Sequence, residues 1–214
     1  MDEEFSIISS NTRQEKIKNF FINNKIKIIS FTSIIILSLI CYFGYDEIKK
    51  RKQISVSNDF NSILIEFENS NKDITTNKLI DLVNKKDPTY SPLSLYFIID
   101  NKLINDIEKI NFLFDVLIEE TPLEKEIKNL IIYKKSLLNA DKYDEGKMLT
   151  ILNPLINSNS VWKSHALHLM AEFFYDKGEK EKAKEFFNQI VNLNEPNPDI
   201  KIQAQKRLNR DLSE

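Results

Sequence analysis

The sequence predicts an all-α protein: a single membrane-spanning helix near the N-terminus, then a solenoid of helical repeats. Three observations predict it. Glycine supplies only 3 of 214 residues and proline only 6, which argues against a turn-rich β fold and for helices joined by short polar turns. Residues 28–45 form a run of 18 residues without a charge. Beyond that run, apolar residues recur at steps of three and four, the spacing of one helix face.

Composition excludes several kinds of chemistry. Glycine scarcity removes the clustered glycines that phosphate-cradling loops need for close backbone approach. The one cysteine, Cys41, permits neither an intrachain disulfide nor a CxxC site, and with only two histidines a structural zinc is not expected. The net charge of −2 conceals an asymmetry: residues 1–52 hold 9 Lys/Arg against 6 Asp/Glu, and the remainder is acidic. An acidic body gives no footprint for nucleic acid.

Residues 1–27 form a tail ahead of the apolar run. Residues 28–45 read IISFTSIIILSLICYFGY and are long enough to span a hydrocarbon core of about 30 Å when flanking lysines snorkel. Tyr42, Phe43 and Tyr45 cluster at one end as an interfacial belt would. The 27 residues before the run and the missing small-residue cleavage site argue against a removed signal peptide. Arg13, Lys16, Lys18, Lys25 and Lys27 precede the span, and Lys49, Lys50, Arg51 and Lys52 follow it. Five cations against four leave orientation open. Ser30, Ser33, Leu37, Cys41 and Gly44 share one face, where small residues would let a partner membrane helix approach.

Residues 46–90 are expected to be linking helices. DEIKKRK continues the membrane helix, and Ile54, Phe60, Ile63, Leu64 and Phe67 keep helical spacing until Asn69, Ser70 and Asn71 break it. A helix over 74–86 stops at Asp87-Pro88, because the residue before proline avoids the α region. Ser91-Pro92 reads as an N-cap followed by proline at the first helical position. Helices then follow at 92–102, 105–120, 123–139, 144–157, 160–177, 180–193 and 199–213, with breaks at Thr121-Pro122, 157–160 and 195–198. Residues 91–214 would form the repeat domain.

The clearest unit is 164–196. Leu167, Met170, Ala171, Phe174, Gly178, Ala183, Phe187 and Ile190 stand at the signature positions of a tetratricopeptide repeat, which this segment resembles. Ala171 and Ala183 are small where the helices would cross, and Gly178 would end the first helix with a left-handed cap. A shift of 37 residues suggests a degraded second copy, with Leu130, Tyr133, Leu137 and Gly146 in place of Leu167, Met170, Phe174 and Ala183, while Lys134, Thr150 and Asn153 depart from the pattern. A third copy around 93–120 keeps only the helical outline, and 199–213 would cap the stack.

The layout, the segment RQEKIKNFFINNKIKI before the span and the hairpin EFFYDKGEKEKAKEFFNQIV resemble the YfgM-like ancillary subunit of the bacterial Sec translocon. The resemblance implies a cytoplasmic N-terminus, a periplasmic repeat domain at the inner membrane, and association with translocon subunits and periplasmic chaperones. An envelope-assembly or cell-division scaffold is the alternative, and a cytosol-facing regulator of reversed topology is another. In tetratricopeptide hairpins the first helix lines a concave groove, and the matching positions here are His165, His168, Glu172 and Tyr175.

His165 and His168 lie three apart, but a metal would need a further ligand, and Glu172 is the sole candidate at the next turn. Trp162 is expected to pack as a staple where the helix begins. Glu119-Glu120 and Asp144-Glu145 read as residues at helix ends. No GxSxG elbow or Ser/His/Asp order is present, and Cys41 in an apolar run is poorly ionised. The reading is a non-enzymatic protein-binding module with no cofactor and no small-molecule substrate.

Overall fold

The computed structural model describes residues 15–16, 18–67 and 71–212, and among these every regular element is helical. The tail cation Arg13 and the expected breaks Asn69 and Ser70 lie outside the described residues. The chain divides into one unit through Ser55 and a second from Val56 to Glu214.

Helix α1 runs Lys25–Glu66. Its uncharged stretch makes it long and apolar enough to cross a membrane, and none of that stretch is buried. A core helix of a soluble domain would be covered by its neighbours; this one presents Ile34, Leu37, Ile40 and Phe43 outward, each more than 60% exposed. At about 1.5 Å per residue the 18 residues measure about 27 Å, close to a hydrocarbon core. The helix satisfies its own backbone, and the Thr32 hydroxyl donates to the Ile28 carbonyl at 2.9 Å. Just past the run, Asp46 pairs with Lys50 and Glu47 with Arg51, each at 2.7 Å and one turn apart.

The second unit contains the end of α1 and eight further helices: α2 (Lys72–Asn84), α3 (Tyr90–Asp100), α4 (Ile107–Asp115), α5 (Lys125–Leu138), α6 (Glu145–Ile156), α7 (Lys163–Asp176), α8 (Lys180–Val191) and α9 (Pro198–Arg210). Its core falls into two clusters. The first joins Val56, Phe60 and Ile63 of α1 to Leu79, Leu95, Leu113, Phe114 and Ile131. The second joins Ile132 to Met148, Leu152, Leu167, Phe174, Phe187 and Ala204. Ile131 and Ile132 are consecutive on α5, so that helix is the wall between the clusters.

Two local differences from the sequence reading have physical causes. Helix α3 begins at Tyr90, with Pro92 inside its first turn, and Ser91 is no cap. Asp87 does the capping, its carboxylate accepting from the Thr89 and Tyr90 N–H groups at 2.9 and 2.8 Å. Ser91 is fully buried; its hydroxyl donates to the Leu82 carbonyl at 2.7 Å and accepts from the Asp87 N–H at 2.9 Å, stitching the end of α2 to the start of α3. The helix expected over 105–120 is α-helical only to Asp115 and widens into a π turn over Val116–Glu120. Thr121, held extended before Pro122, closes that turn by donating its hydroxyl to the Val116 carbonyl at 3.1 Å.

Helices α7 and α8 pack as an antiparallel pair, and α9 packs on both. The left-handed cap expected at Gly178 is present, with φ of 75°. Gly178 N–H donates to Tyr175 and Glu179 N–H to Phe174, both at 2.9 Å, which satisfies the last carbonyls of α7. Helices α6 and α8 start and end 35 residues apart, Glu145 against Lys180 and Ile156 against Val191. Their buried residues follow the same offset: Met148, Leu152 and Leu155 against Ala183, Phe187 and Ile190. The offset holds on the preceding helices, where Ile132 and Ser136 match Leu167 and Ala171. The shift of 37 is therefore corrected. It would seat Leu137, which is 51% exposed, where Phe174 is buried. It fails because two true equivalents are polar: Lys135 stands for Met170 and Asn139 for Phe174.

Candidate functional site

Helix α7 carries the four groove positions, and the structure distributes them over three environments. His165, at the start of α7, belongs to an aromatic group. Trp162 stacks on Tyr133 of α5 with ring centroids 5.9 Å apart and a 21° angle, and His165 lies 5.1 Å from the Trp162 ring and 5.7 Å from that of Tyr133. Trp162 thus packs where α7 begins, as a staple would, and also ties α7 to α5.

His168 sits one turn on, its ring edge-on to Phe187 at 5.8 Å. Its Nε2 is buried and makes no hydrogen bond; the Glu172 carboxylate approaches it to 3.6 Å. Burial pushes both imidazoles below their usual pKa, with Arg207 and His165 adding to the effect at His168 and Glu172 opposing it. Burial thus favours the uncharged His168 ring, and 3.6 Å is too long for a hydrogen bond to Glu172.

Glu172 and Tyr175 are engaged by the chain itself. Arg207 of α9 holds the Glu172 carboxylate in a two-pronged pair, Nε to Oε1 at 3.0 Å and Nη2 to Oε2 at 2.6 Å. Its guanidinium lies 4.5 Å from the Tyr175 ring. Asp211 accepts from Arg207 Nη1 at 2.9 Å and from Arg210. Hydrogen bonding to Glu172, then Asp211, pushes the Arg207 pKa up, and the two arginines, Arg210 first, hold Asp211 well below the carboxylate range. Nothing in the sequence pattern of α7 signals this; the signal is Arg207 itself, on the helix that follows.

Between α5 and α7, Tyr133, Leu137, His168, Leu169, Glu172 and Phe173 line a cavity of about 620 Å³. Asp141, Asp176 and Lys177 complete its rim. Lys177 rests over the Phe173 ring at 4.1 Å. Asp141 and Asp176 are exposed and make no ion pair among the described residues. These two carboxylates escaped the sequence reading, because Asp176 is the last residue of α7 and Asp141 lies three residues past α5, at helix ends where polar residues are common.

The residues assigned to a membrane contact, Ser30, Ser33, Leu37, Cys41 and Gly44, are all exposed on one helix, and a Cβ at Gly44 would meet nothing within 4 Å. Among the described residues no group of three His, Cys, Asp or Glu side chains could hold a metal ion. In comparisons with known proteins the chain matches no family model, no curated sequence and no solved structure.

Proposed function

We propose that this chain is a membrane-anchored protein-binding module: α1 spans the membrane once, and the second unit is a short tetratricopeptide-like solenoid that binds polypeptide beyond it. The observation that carries the reading is an exposed apolar stretch of 18 residues in the same chain as two consecutive hairpins whose buried positions recur at an offset of 35 residues. The recurrence extends to polar side chains. Asn129 donates to the Ser160 hydroxyl at 3.0 Å, and Ser164, 35 residues later, accepts from the Asn197 N–H at 3.0 Å. Each bond ties the first helix of a hairpin to the loop before the next one, as stacked repeats require.

Resemblance of layout to the YfgM-like translocon subunit directs the proposal further. The N-terminal tail is cytoplasmic, the solenoid is periplasmic, and the partners are Sec translocon subunits and chaperones that receive secreted chains. Anchoring supplies the mechanism, since a tether converts a second encounter into an intramolecular one and raises effective concentration to about the millimolar range. No covalent chemistry is assigned to the chain.

The test is in vivo crosslinking of the full-length protein, gentle solubilisation and mass spectrometry of what co-purifies. Enrichment of translocon subunits and periplasmic chaperones over membrane controls is the expected result. Enrichment of division or wall-synthesis proteins without the translocon would replace the handover role with the scaffold role.

A further inference from the structure

The cavity between α5 and α7 has an apolar floor, a charged rim and an unsatisfied polar atom, and these three features together specify a ligand. Tyr133, Leu137, Leu169 and Phe173 give it its apolar surface. Leu137 is 51% exposed, so apolar area remains to be covered. The carboxylates of Asp141 and Asp176 stand at the rim unpaired, while Glu172 is already neutralised by Arg207. His168 Nε2 is buried there without a hydrogen-bond partner. A buried polar atom left unpaired costs free energy that a ligand group can recover.

We propose that this cavity receives an extended polypeptide segment in which an apolar side chain is followed by lysine or arginine. The apolar side chain covers Leu137. The cation sits between Asp141 and Asp176. An imidazole offers Nε2 as donor or acceptor according to its tautomer, and because that atom has no exposed surface in the free chain, the segment turns the His168 ring to pair it with a backbone C=O or N–H. An acidic segment is disfavoured, because its charge would meet two unpaired carboxylates and find only Lys177, which already lies against Phe173. The assignment rests on the protein-binding reading above and adds to it the chemistry of what is bound.

The test uses the full-length chain in lipid nanodiscs and two fluorescein-labelled hexapeptides, Gly-Leu-Lys-Leu-Lys-Gly and its glutamate counterpart, read by fluorescence anisotropy against empty nanodiscs. The lysine peptide is expected to bind about tenfold more tightly than the glutamate peptide, and the ratio to shrink as salt rises. The pair Asp141→Asn and Asp176→Asn should cut the ratio below about threefold with Trp162 emission unchanged, since both side chains are exposed and structurally idle. Leu137→Ala should weaken both peptides. Equal binding of the two peptides, or a ratio indifferent to the double substitution, overturns the assignment. If neither peptide binds while crosslinking still recovers protein partners, this ligand chemistry is wrong and the broader reading stands. If crosslinking recovers no partner, the broader reading fails on its own.

Discussion

The α5–α6 and α7–α8 hairpins build the same shape from different chemistry. In α7 the inward positions are Leu167, Met170, Ala171 and Phe174, all within 1% of complete burial. Their counterparts are Ile132, Lys135 and Ser136 of α5 and Asn139, which caps it. Lys135 is buried and pairs with Asp115 of α4. Asn139 is buried and exchanges two carboxamide hydrogen bonds with Asn111 of α4, at 3.0 and 2.7 Å. The difference follows from position in the chain. Helix α7 turns its inward face to the apolar side chains of the second cluster, supplied by α6, α8 and α9, where apolar contact suffices, whereas α5 is the wall between two clusters and must also hold α4. Polar side chains can occupy core positions when each finds a partner of the right geometry.

Four expectations break or sharpen that comparison. Phe187 and Leu152 are fully buried equivalents on α8 and α6. Phe187→Ala should cost about 4 kcal/mol and Leu152→Ala about 3 kcal/mol, measured by urea unfolding of the full-length protein with Trp162 fluorescence. A cost under about 1 kcal/mol at Leu152 would mean that α6 is not a core helix. Next in size, Asn139→Leu should cost about 2 kcal/mol by orphaning the Asn111 carboxamide, and adding Asn111→Leu should recover most of it. A double variant as unstable as the sum of the two singles would show that the pair is not coupled.

Cap substitutions come third and have opposite signs. Gly178 and Lys102 both adopt the left-handed conformation, with φ of 75° and 51°. Gly178→Ala should destabilise by about 1 kcal/mol, and Lys102→Gly should stabilise by roughly 0.5 kcal/mol, visible as opposite shifts in melting temperature. The last expectation concerns pH. Both imidazoles are harder to protonate in the folded chain than in the unfolded one. The unfolded state therefore takes up more protons below pH 6.5, and stability is full above that value and falls as pH drops through it. His165→Gln with His168→Gln should flatten the melting temperature between pH 7 and about pH 5; an unchanged slope would place the titrating groups elsewhere.

Much of this architecture is written in short-range patterns. An uncharged run, proline after aspartate and a lone glycine between two apolar helices each impose a local physical constraint that needs no partner. The α7–α8 hairpin was legible for that reason. The two helices of α5–α6 were legible as well, but their register against α7–α8 was not, because Lys135 and Asn139 read as surface residues until Asp115 and Asn111, at least 20 residues away in sequence, are brought to them. Capping by Asp87 in place of Ser91 escaped notice similarly, since Ser91 answers to Leu82 across the turn. At the candidate site, His165, His168, Glu172 and Tyr175 do share a helix face. That Arg207 occupies Glu172 and Tyr175, leaving the opening toward α5, depends on how α9 packs.

The central claim is a tethered unit beyond a single membrane span, and topology tests it most directly. Asp199, exposed at the start of α9, is changed to cysteine in a Cys41→Ser background, and intact spheroplasts are treated with a membrane-impermeant maleimide. The account predicts labelling of position 199 before lysis. Protection until the membrane is broken would place the helical unit in the cytoplasm and contradict it.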